Sequence, residues 1–168
     1  RRLWERAIAF PGGLDLLVNN AGMGNYAPFE EQDPAIIDEM IRLNLVALMD
    51  LTQRAIVHMK ARGGGQILEI SSVLGFAGMP YSATYAATKH AVNGLVKSVR
   101  GELKGTGVRI WAACPGRTRS EFSAVAMGRS GDSYRMPPGE PTDRIVREIV
   151  KGLDRRKPFL MPSLTARI

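Results

Sequence analysis

Tyr85 and Lys89 form a pair whose residue types and spacing could do acid–base chemistry. They lie four positions apart in the stretch YSATYAATKHAVNG, residues 81–94, and this spacing places both on one face of a helix. An ammonium group near a phenol favours the phenolate and lowers the pKa of the tyrosine from its usual value of about 10. The phenol then becomes a usable proton donor and acceptor. Because the pattern also arises by chance, an ordinary pair of helix residues is the competing interpretation.

Further polar and small residues stand where predicted strands end. Asn19-Asn20-Ala21-Gly22 closes a first strand, Ser72 closes a second, and Pro115-Gly116 closes a third. Asn44 lies inside a long predicted helix between the first two strands. Because the carboxyl ends of parallel strands meet at one edge of a sheet, these residues are expected at the same rim as Tyr85.

The elements that must position these residues alternate between strand and helix. Asp33 and Pro34 are typical of a helix start, and a run of three glycines after residue 62 is typical of its end. The predicted strands cover residues 14–20, 66–72, 108–114 and 158–162, and the main helices cover residues 33–62, 84–104 and 143–155. Such alternation predicts a doubly wound α/β domain with a parallel sheet and helices on both faces.

The first strand indicates that this domain is partial. Its continuous apolar run, Leu16-Leu17-Val18, suits a central strand covered on both faces, yet only one helix precedes it. The chain also lacks an initiator methionine. We therefore expect residues 1–168 to form a single but incomplete domain, with further strands preceding it.

A glycine-rich match after the first strand is not expected to bind a pyrophosphate. GMGNYA, residues 22–27, fits the G-x-G-x-x-A pattern of dinucleotide sites. Pro28 and a loop follow it, so the glycines do not open a helix whose N-terminus could hold the phosphates.

Composition narrows the class of protein. An apolar share of 45% with 23% charged residues is ordinary for a soluble globular protein, and no apolar run is long enough to cross a membrane. Cys114 is the only cysteine, which fits a reducing, cytoplasmic compartment and a buried apolar role. His58 and His90 have no second ligand at metal-binding spacing, so no metal site is expected and both are read as helix residues.

The net charge of +7 raises the alternative of nucleic-acid binding. The basic residues are scattered, however, and no stripe of basic and aromatic residues occurs. A solvated surface explains most of this charge, so we expect no nucleic-acid partner. A salt-sensitive complex with DNA or RNA would favour the alternative.

Taken together, the motifs resemble the short-chain dehydrogenase/reductase family. The resemblance rests on NNAG, the helix residue Asn44, the strand-end Ser72, Tyr-x-x-x-Lys at Tyr85 and Lys89, and the PG dipeptide, in the family's order and spacing. It covers nearly the whole chain. It implies a Rossmann-type sheet from which the first two βα units, roughly 60 residues, are missing.

The resemblance also implies roles for individual residues. Tyr85 would be the acid/base that protonates an alkoxide or deprotonates an alcohol, and Lys89 would lower its pKa and bind the nicotinamide ribose. Ser72, rather than Ser71, would polarise the substrate carbonyl, and Asn44 would hold a water in a proton relay. The implied activity is hydride transfer between a nicotinamide cofactor and a small-molecule substrate, either a carbonyl compound or a secondary alcohol.

The cofactor implied by the resemblance is NAD or NADP. The residues that choose between the two would precede NNAG and are not in this sequence. Asn19 would tie neighbouring strands together. The residues implied to contact the cofactor, besides Tyr85 and Lys89, are Asn20, Ala21, Gly22, Pro115, Gly116, Thr118 and Ser120.

Two features depart from the family or extend beyond it. Glu69 stands where the family frequently has an asparagine, and the sequence offers no account of its effect. Residues 117–140 lack periodicity and are predicted to be a flexible substrate loop. Five apolar residues of this loop form either an apolar lid or ordinary loop packing: Phe122, Val125, Met127, Tyr134 and Met136.

Two expectations about the whole protein remain. By resemblance, a homo-oligomer would form through the helices at residues 33–62 and 84–104. A catalytically silent binding module with the same fold is the alternative to an enzyme, although every proton-transfer group is present.

Overall fold

The centre of the molecule is a parallel sheet built from the apolar strands that the sequence predicts. The computed structural model describes residues 2–122, 139–154 and 157–163. Strands β1 (Leu16–Asn19), β2 (Gly65–Ile70) and β3 (Val108–Ala113) are followed by two short strands, β4 (Thr118–Arg119) and β5 (Glu140–Pro141), and by β6 (Phe159–Leu160). The main sheet has the order β1-β2-β3-β6 with all pairs parallel.

Five α-helices accompany these strands in the described part of the chain: α1 (Arg2–Ile8), α2 (Pro34–Ile41), α3 (Leu48–Ala61), α4 (Ala83–Glu102) and α5 (Thr142–Lys151). The side chain of Asp33 caps α2 by accepting a hydrogen bond from the backbone of Ala35 at 2.8 Å. His58 and His90 lie in α3 and α4, as predicted.

The long helix predicted at residues 33–62 contains a local change of helical type. Between α2 and α3 the backbone forms a π-helical segment, Arg42–Ala47, whose flanking residues keep helical dihedral angles. The stretch is therefore continuous, but it carries an extra residue per turn at Asn44. Periodicity did not predict this segment.

Helices cover both faces of the sheet, which confirms the doubly wound α/β class. On one face, Ala55 and Met59 of α3 and Val96 of α4 pack against Ile67 and Ile110 of the inner strands. On the other face, the partly buried residues Ile149 and Leu153 pack against a cluster of Leu68, Trp111, Ala113 and Leu160. The inner strands β2 and β3 read as continuous apolar runs because both of their faces are covered.

The position of the first strand agrees with the expectation of a partial sheet that lacks neighbours on one side of this strand. β1 lies at the edge of the sheet among the described residues rather than at its centre. Leu16 is 39% exposed and Val18 is 45% exposed, because no described element covers that face of β1. The expected coverage on both faces is therefore not met within this structure.

The ends of the loop at residues 117–140 are held together. β4 pairs with β5, and the backbone N–H of Glu140 donates to the carbonyl of Arg117 at 2.8 Å. Residues 123–138 lie outside the described part of the chain, so the predicted flexibility of the loop stays a prediction.

Two expectations drawn from the composition can be compared with the structure. Cys114 is fully buried, as predicted, whereas the cytoplasmic location stays a prediction. Across the described ranges, no helix combines the length and apolarity that crossing a bilayer requires.

Candidate active site

The first turns of α4 carry the tyrosine–lysine pair. Lys89 Nζ lies 5.6 Å from the centroid of the Tyr85 ring, so the two side chains share one face of the helix. Lys89 is only 5% exposed, and its ammonium group donates a hydrogen bond to the carbonyl of Ile70 at 2.7 Å. This bond ties α4 to the carboxyl end of β2.

The two serines that follow β2 have different partners. Ser72 caps a 3₁₀ turn, Val73–Gly75, by accepting a hydrogen bond from the backbone of Leu74 at 3.1 Å. Its hydroxyl also lies near the Tyr85 phenol and lowers the pKa of that phenol. Ser71 instead donates to Asn93 Oδ1 at 2.7 Å. The structure therefore brings Ser72, the serine selected by spacing, to the phenol of Tyr85.

Asn44 lies in the π-helical segment and holds the loop after β1. Its Oδ1 accepts from the backbone N–H of Met23, and its Nδ2 donates to the carbonyl of Met23, both at 2.8 Å. A Cβ added to Gly22 would lie 3.2 Å from Asn44 Oδ1 and 3.9 Å from Lys89 Nζ. Gly22, Asn44 and Lys89 therefore meet at one point. The expected water relay through Asn44 stays a prediction.

A cavity of about 620 Å³ opens at this rim of the sheet. Ser72, Tyr85 and Lys89 line it, whereas the buried Asn44 is not part of its lining. The residues that the sequence assigns to the cofactor also line it: Asn20, Ala21, Gly22, Pro115, Gly116, Thr118 and Ser120. The structure thus gathers residues from three strand ends and α4 around one space.

Part of the cavity lining is apolar, and most of this part was not predicted from the sequence. The apolar and aromatic residues of this part include Tyr26, Met79, Phe122, Ile145, Val146 and Ile149. Phe122 packs against Tyr85 with a ring-centroid distance of 5.6 Å, whereas the other four predicted lid residues, Val125, Met127, Tyr134 and Met136, lie outside the described residues. The amphipathic pattern of α5 indicated a core-facing stripe, but it did not show that the stripe reaches this cavity.

Burial sets the charge state of the pair. The Tyr85 phenol is half-buried, and burial raises its pKa to about 12, although the nearby Ser72 hydroxyl lowers it. Burial also lowers the pKa of Lys89 to about 8, although the charge of Glu69 raises it. The expectation that Lys89 lowers the pKa of Tyr85 is therefore wrong for this structure. Burial disfavours the charged form of both groups, and the ammonium bonds to a backbone carbonyl.

Buried polar side chains that the sequence reading did not single out support the site. Asn93 of α4 donates to the carbonyl of Gly75 at 2.9 Å and accepts from Ser71, which fixes the turn after β2 against the helix. Ser163 accepts a hydrogen bond from the backbone N–H of Gly116 at 2.7 Å. A small polar residue on the buried face of a helix was the available signal for Asn93.

Comparisons with known proteins agree with this arrangement. The family model described as short chain dehydrogenase matches residues 1–127. The chain is 40% identical over 114 residues to a 3alpha-hydroxysteroid dehydrogenase of Mediterraneibacter gnavus, an alignment that covers 68% of this chain and 46% of the relative. The chain thus spans about half the length of that relative.

Solved structures show the same fold. A short-chain dehydrogenase from Sphingobium yanoikuyae in complex with NADPH superposes with a TM-score of 0.84 at 31% identity, over 97% of this chain and 62% of that one. The bulky-bulky ketone specific alcohol dehydrogenase from Comamonas testosteroni superposes with a TM-score of 0.78 at 29% identity, over 97% of this chain and 58% of that one. Family model, relatives and fold agree: the chain belongs to the short-chain dehydrogenase family.

Proposed function

We propose that this chain is the catalytic portion of an NAD(P)-dependent oxidoreductase that interconverts a carbonyl compound and a secondary alcohol. The observation that carries the proposal is that the Ser72 hydroxyl and the Tyr85 phenol line the same cavity of about 620 Å³, beside the buried Lys89. Family membership supports the reaction class.

The chain's own residues move the proton. With a pKa of about 12, Tyr85 is a neutral phenol at physiological pH and is ready to donate. An alkoxide is a stronger base than a phenolate, so it takes this proton as the carbonyl is reduced. The Ser72 hydroxyl stabilises the developing negative charge by hydrogen bonding. The Lys89 ammonium then stabilises the phenolate that Tyr85 leaves behind.

The residues present fit the nicotinamide half of the proposed cofactor. Ala21, Gly22 and Gly116 are small residues of the cavity wall, so they leave room for a flat ring. Asn20, Thr118 and Lys89 supply hydrogen-bonding groups, as a ribose and an amide require. When bound, the cofactor gives or accepts the hydride. The choice between NAD and NADP is left to measurement.

The proposed substrate is a bulky, mainly apolar ketone or the corresponding alcohol. Apolar side chains, including Tyr26, Met79 and Ile149, line the same cavity as Tyr85, and an apolar lining favours an apolar substrate. Relatives named as a hydroxysteroid dehydrogenase and a bulky-ketone alcohol dehydrogenase support this substrate class.

A substrate panel tests the proposal. The intact protein should oxidise NADH or NADPH in the presence of ring ketones, with the nicotinamide absorbance falling, and should turn over large apolar ketones faster than acetone. Cofactor binding without turnover of any ketone or alcohol in a broad panel would instead establish the alternative, a catalytically silent binding module.

We also propose that the protein self-associates through the helical stretch formed by the π-helical segment Arg42–Ala47 and α3. Val46, Met49 and Val57 are 55%, 45% and 68% exposed, and their spacing places them along one side of this stretch. Exposed apolar side chains in a row are typical of protein–protein contacts.

A further inference from the structure

Glu69 is a buried carboxyl group that the proposed mechanism does not use. It lies on β2 and is 0% exposed. Its Oε1 accepts hydrogen bonds from Thr52 Oγ1 at 2.7 Å and from Asn19 Nδ2 at 3.2 Å. Its Oε2 is buried and has no hydrogen-bond partner among the described residues. A carboxyl group held in this way is costly to bury in its charged form, so its position calls for an explanation.

The strand connects this carboxyl group directly to the active site. Glu69 stands next to Ile70, whose carbonyl receives the hydrogen bond from Lys89 Nζ at 2.7 Å. Asn19, which binds the carboxyl group, precedes Gly22 by three residues, and a Cβ on Gly22 would lie 3.9 Å from Lys89 Nζ. A buried acid and a buried base are thus anchored at adjacent positions of one strand.

The two groups act on each other's charge. Burial raises the pKa of Glu69 to about 7, and the Lys89 ammonium counteracts this. Burial lowers the pKa of Lys89 to about 8, and the Glu69 carboxylate counteracts this. Around Glu69, β1 and α3 present the neutral side chains of Asn19 and Thr52, and β3 presents Ala112 in register. Cys114, just after β3, is the other ionisable group that acts on Lys89.

We propose that Glu69 is a positioning residue whose buried carboxylate keeps the Lys89 side chain charged beside Tyr85. In water-poor surroundings, one ammonium group without a nearby carboxylate loses its proton readily. Glu69 supplies that carboxylate from β2, while Lys89 makes no direct ion pair with the described residues and keeps its hydrogen bond to the carbonyl of Ile70. The electrostatic coupling of Glu69 to Lys89 does not depend on the proposed function, whereas its effect on catalysis rests on that function.

The first test measures the charge of Lys89 without any activity. The pH dependence of Lys89 acetylation by acetic anhydride, read by mass spectrometry, is compared between the wild type and Glu69→Gln. The midpoint should fall by roughly one pH unit in the variant, because the opposing charge is gone. Two controls should retain the wild-type midpoint: Glu69→Asp, which keeps the charge, and Glu102→Gln, which neutralises an acid at the far end of α4. An unchanged midpoint in folded Glu69→Gln would overturn the proposal.

A second measurement covers the case in which Glu69→Gln does not fold. The infrared carbonyl band of the protonated Glu69 carboxyl should disappear from the wild type as the pH rises through neutrality. In Lys89→Met the same band should persist to higher pH. A band that titrates at the same pH in both proteins would overturn the coupling.

The third test links the coupling to catalysis. The alkaline limb of kcat/KM should move to lower pH in Glu69→Gln and return towards its wild-type position in Glu69→Asp. A shifted acetylation midpoint with an unmoved alkaline limb would overturn the positioning role. An absence of turnover in the wild type would refute the proposed function instead, and the acetylation result would still decide the coupling.

Discussion

Tyr85 and Lys89 show how far a residue pattern predicts chemistry. Their spacing predicted a shared helix face, and the 5.6 Å separation of Lys89 Nζ from the Tyr85 ring agrees with it. The direction of the pKa change of Tyr85 was not predictable, because burial exceeds the effect of a neighbouring charge and burial is a property of the folded chain. The role of Glu69 was also not predictable, because the residues that contact its carboxyl group are distant in sequence.

These charge states predict opposite pH dependences for the two directions of reaction. Ketone reduction needs neutral Tyr85 and charged Lys89, so kcat/KM should be flat at neutral pH and fall as the pH rises through about 8, where Lys89 loses its proton. Alcohol oxidation needs the phenolate, so it should still rise at pH values where reduction falls. Initial rates in both directions across a pH series check this. Reduction that stays constant well above the pKa of Lys89 would contradict the assignment.

Glu69 also predicts a pH dependence of stability. Its pKa is raised from 4.5 to about 7 in the folded protein, so the folded state binds a proton more tightly than the unfolded state. The free energy of unfolding should therefore fall as the pH rises from 4.5 to 7, by about 3 kcal/mol from this group. Glu69→Gln should lose this slope, measured by urea unfolding at a series of pH values. An identical slope in both proteins would contradict the assignment.

At the scale of elements, the apolar periodicity of the sequence predicted which segments are helices or strands. It was less successful for the ends of these elements and for local changes within them. The apolar recurrence in residues 33–62 matched a helix, but it did not reveal the π-helical segment at Arg42–Ala47 that presents Asn44. The 3₁₀ turn Val73–Gly75 was not predicted, because it is held by Asn93, a residue of α4 that is distant in sequence.

The turn after β2 predicts a sharp contrast between two glycines. A Cβ on Gly75 would lie 2.4 Å from Asn93 Nδ2 and 2.8 Å from the carbonyl of Lys89, whereas a Cβ on Gly78 would meet no atom within 4 Å. Gly75→Ala should therefore destabilise the protein by about 1–3 kcal/mol, and Gly78→Ala should be close to neutral. Denaturant unfolding of both variants measures the difference. Equal stabilities of Gly75→Ala and Gly78→Ala would show that α4 does not pack closely against this turn.

At the scale of the whole molecule, the alternation of elements predicted the parallel sheet and its two helical layers. It did not predict that one face of β1 is exposed in the described part of the chain, because a short apolar run does not reveal how many of its faces are covered. Nor did it predict that α5 lines the cavity, because this depends on where the fold places Ile145 and Ile149.

The exposed apolar row on the π-helical segment and α3 predicts the effect of a surface charge on assembly. Val57→Asp should shift the intact protein towards the monomer in sedimentation velocity experiments, because a carboxylate cannot be buried in an apolar contact without a partner. Val150→Asp on α5 is the matched control, since Val150 is 57% exposed and Val57 is 68% exposed. The same mass for the wild type and both variants would contradict the proposed contact surface.

The phenol of Tyr85 is the group on which the proposed activity depends, and its removal is the most direct test. In Tyr85→Phe, the single-turnover rate of ketone reduction should fall by about 10²–10⁴-fold while cofactor affinity and thermal stability stay close to wild type. Tyr81→Phe removes a hydroxyl from a ring that does not line the cavity, and it should keep the wild-type rate. A wild-type rate of nicotinamide oxidation in Tyr85→Phe would contradict the assignment of Tyr85 as the acid/base.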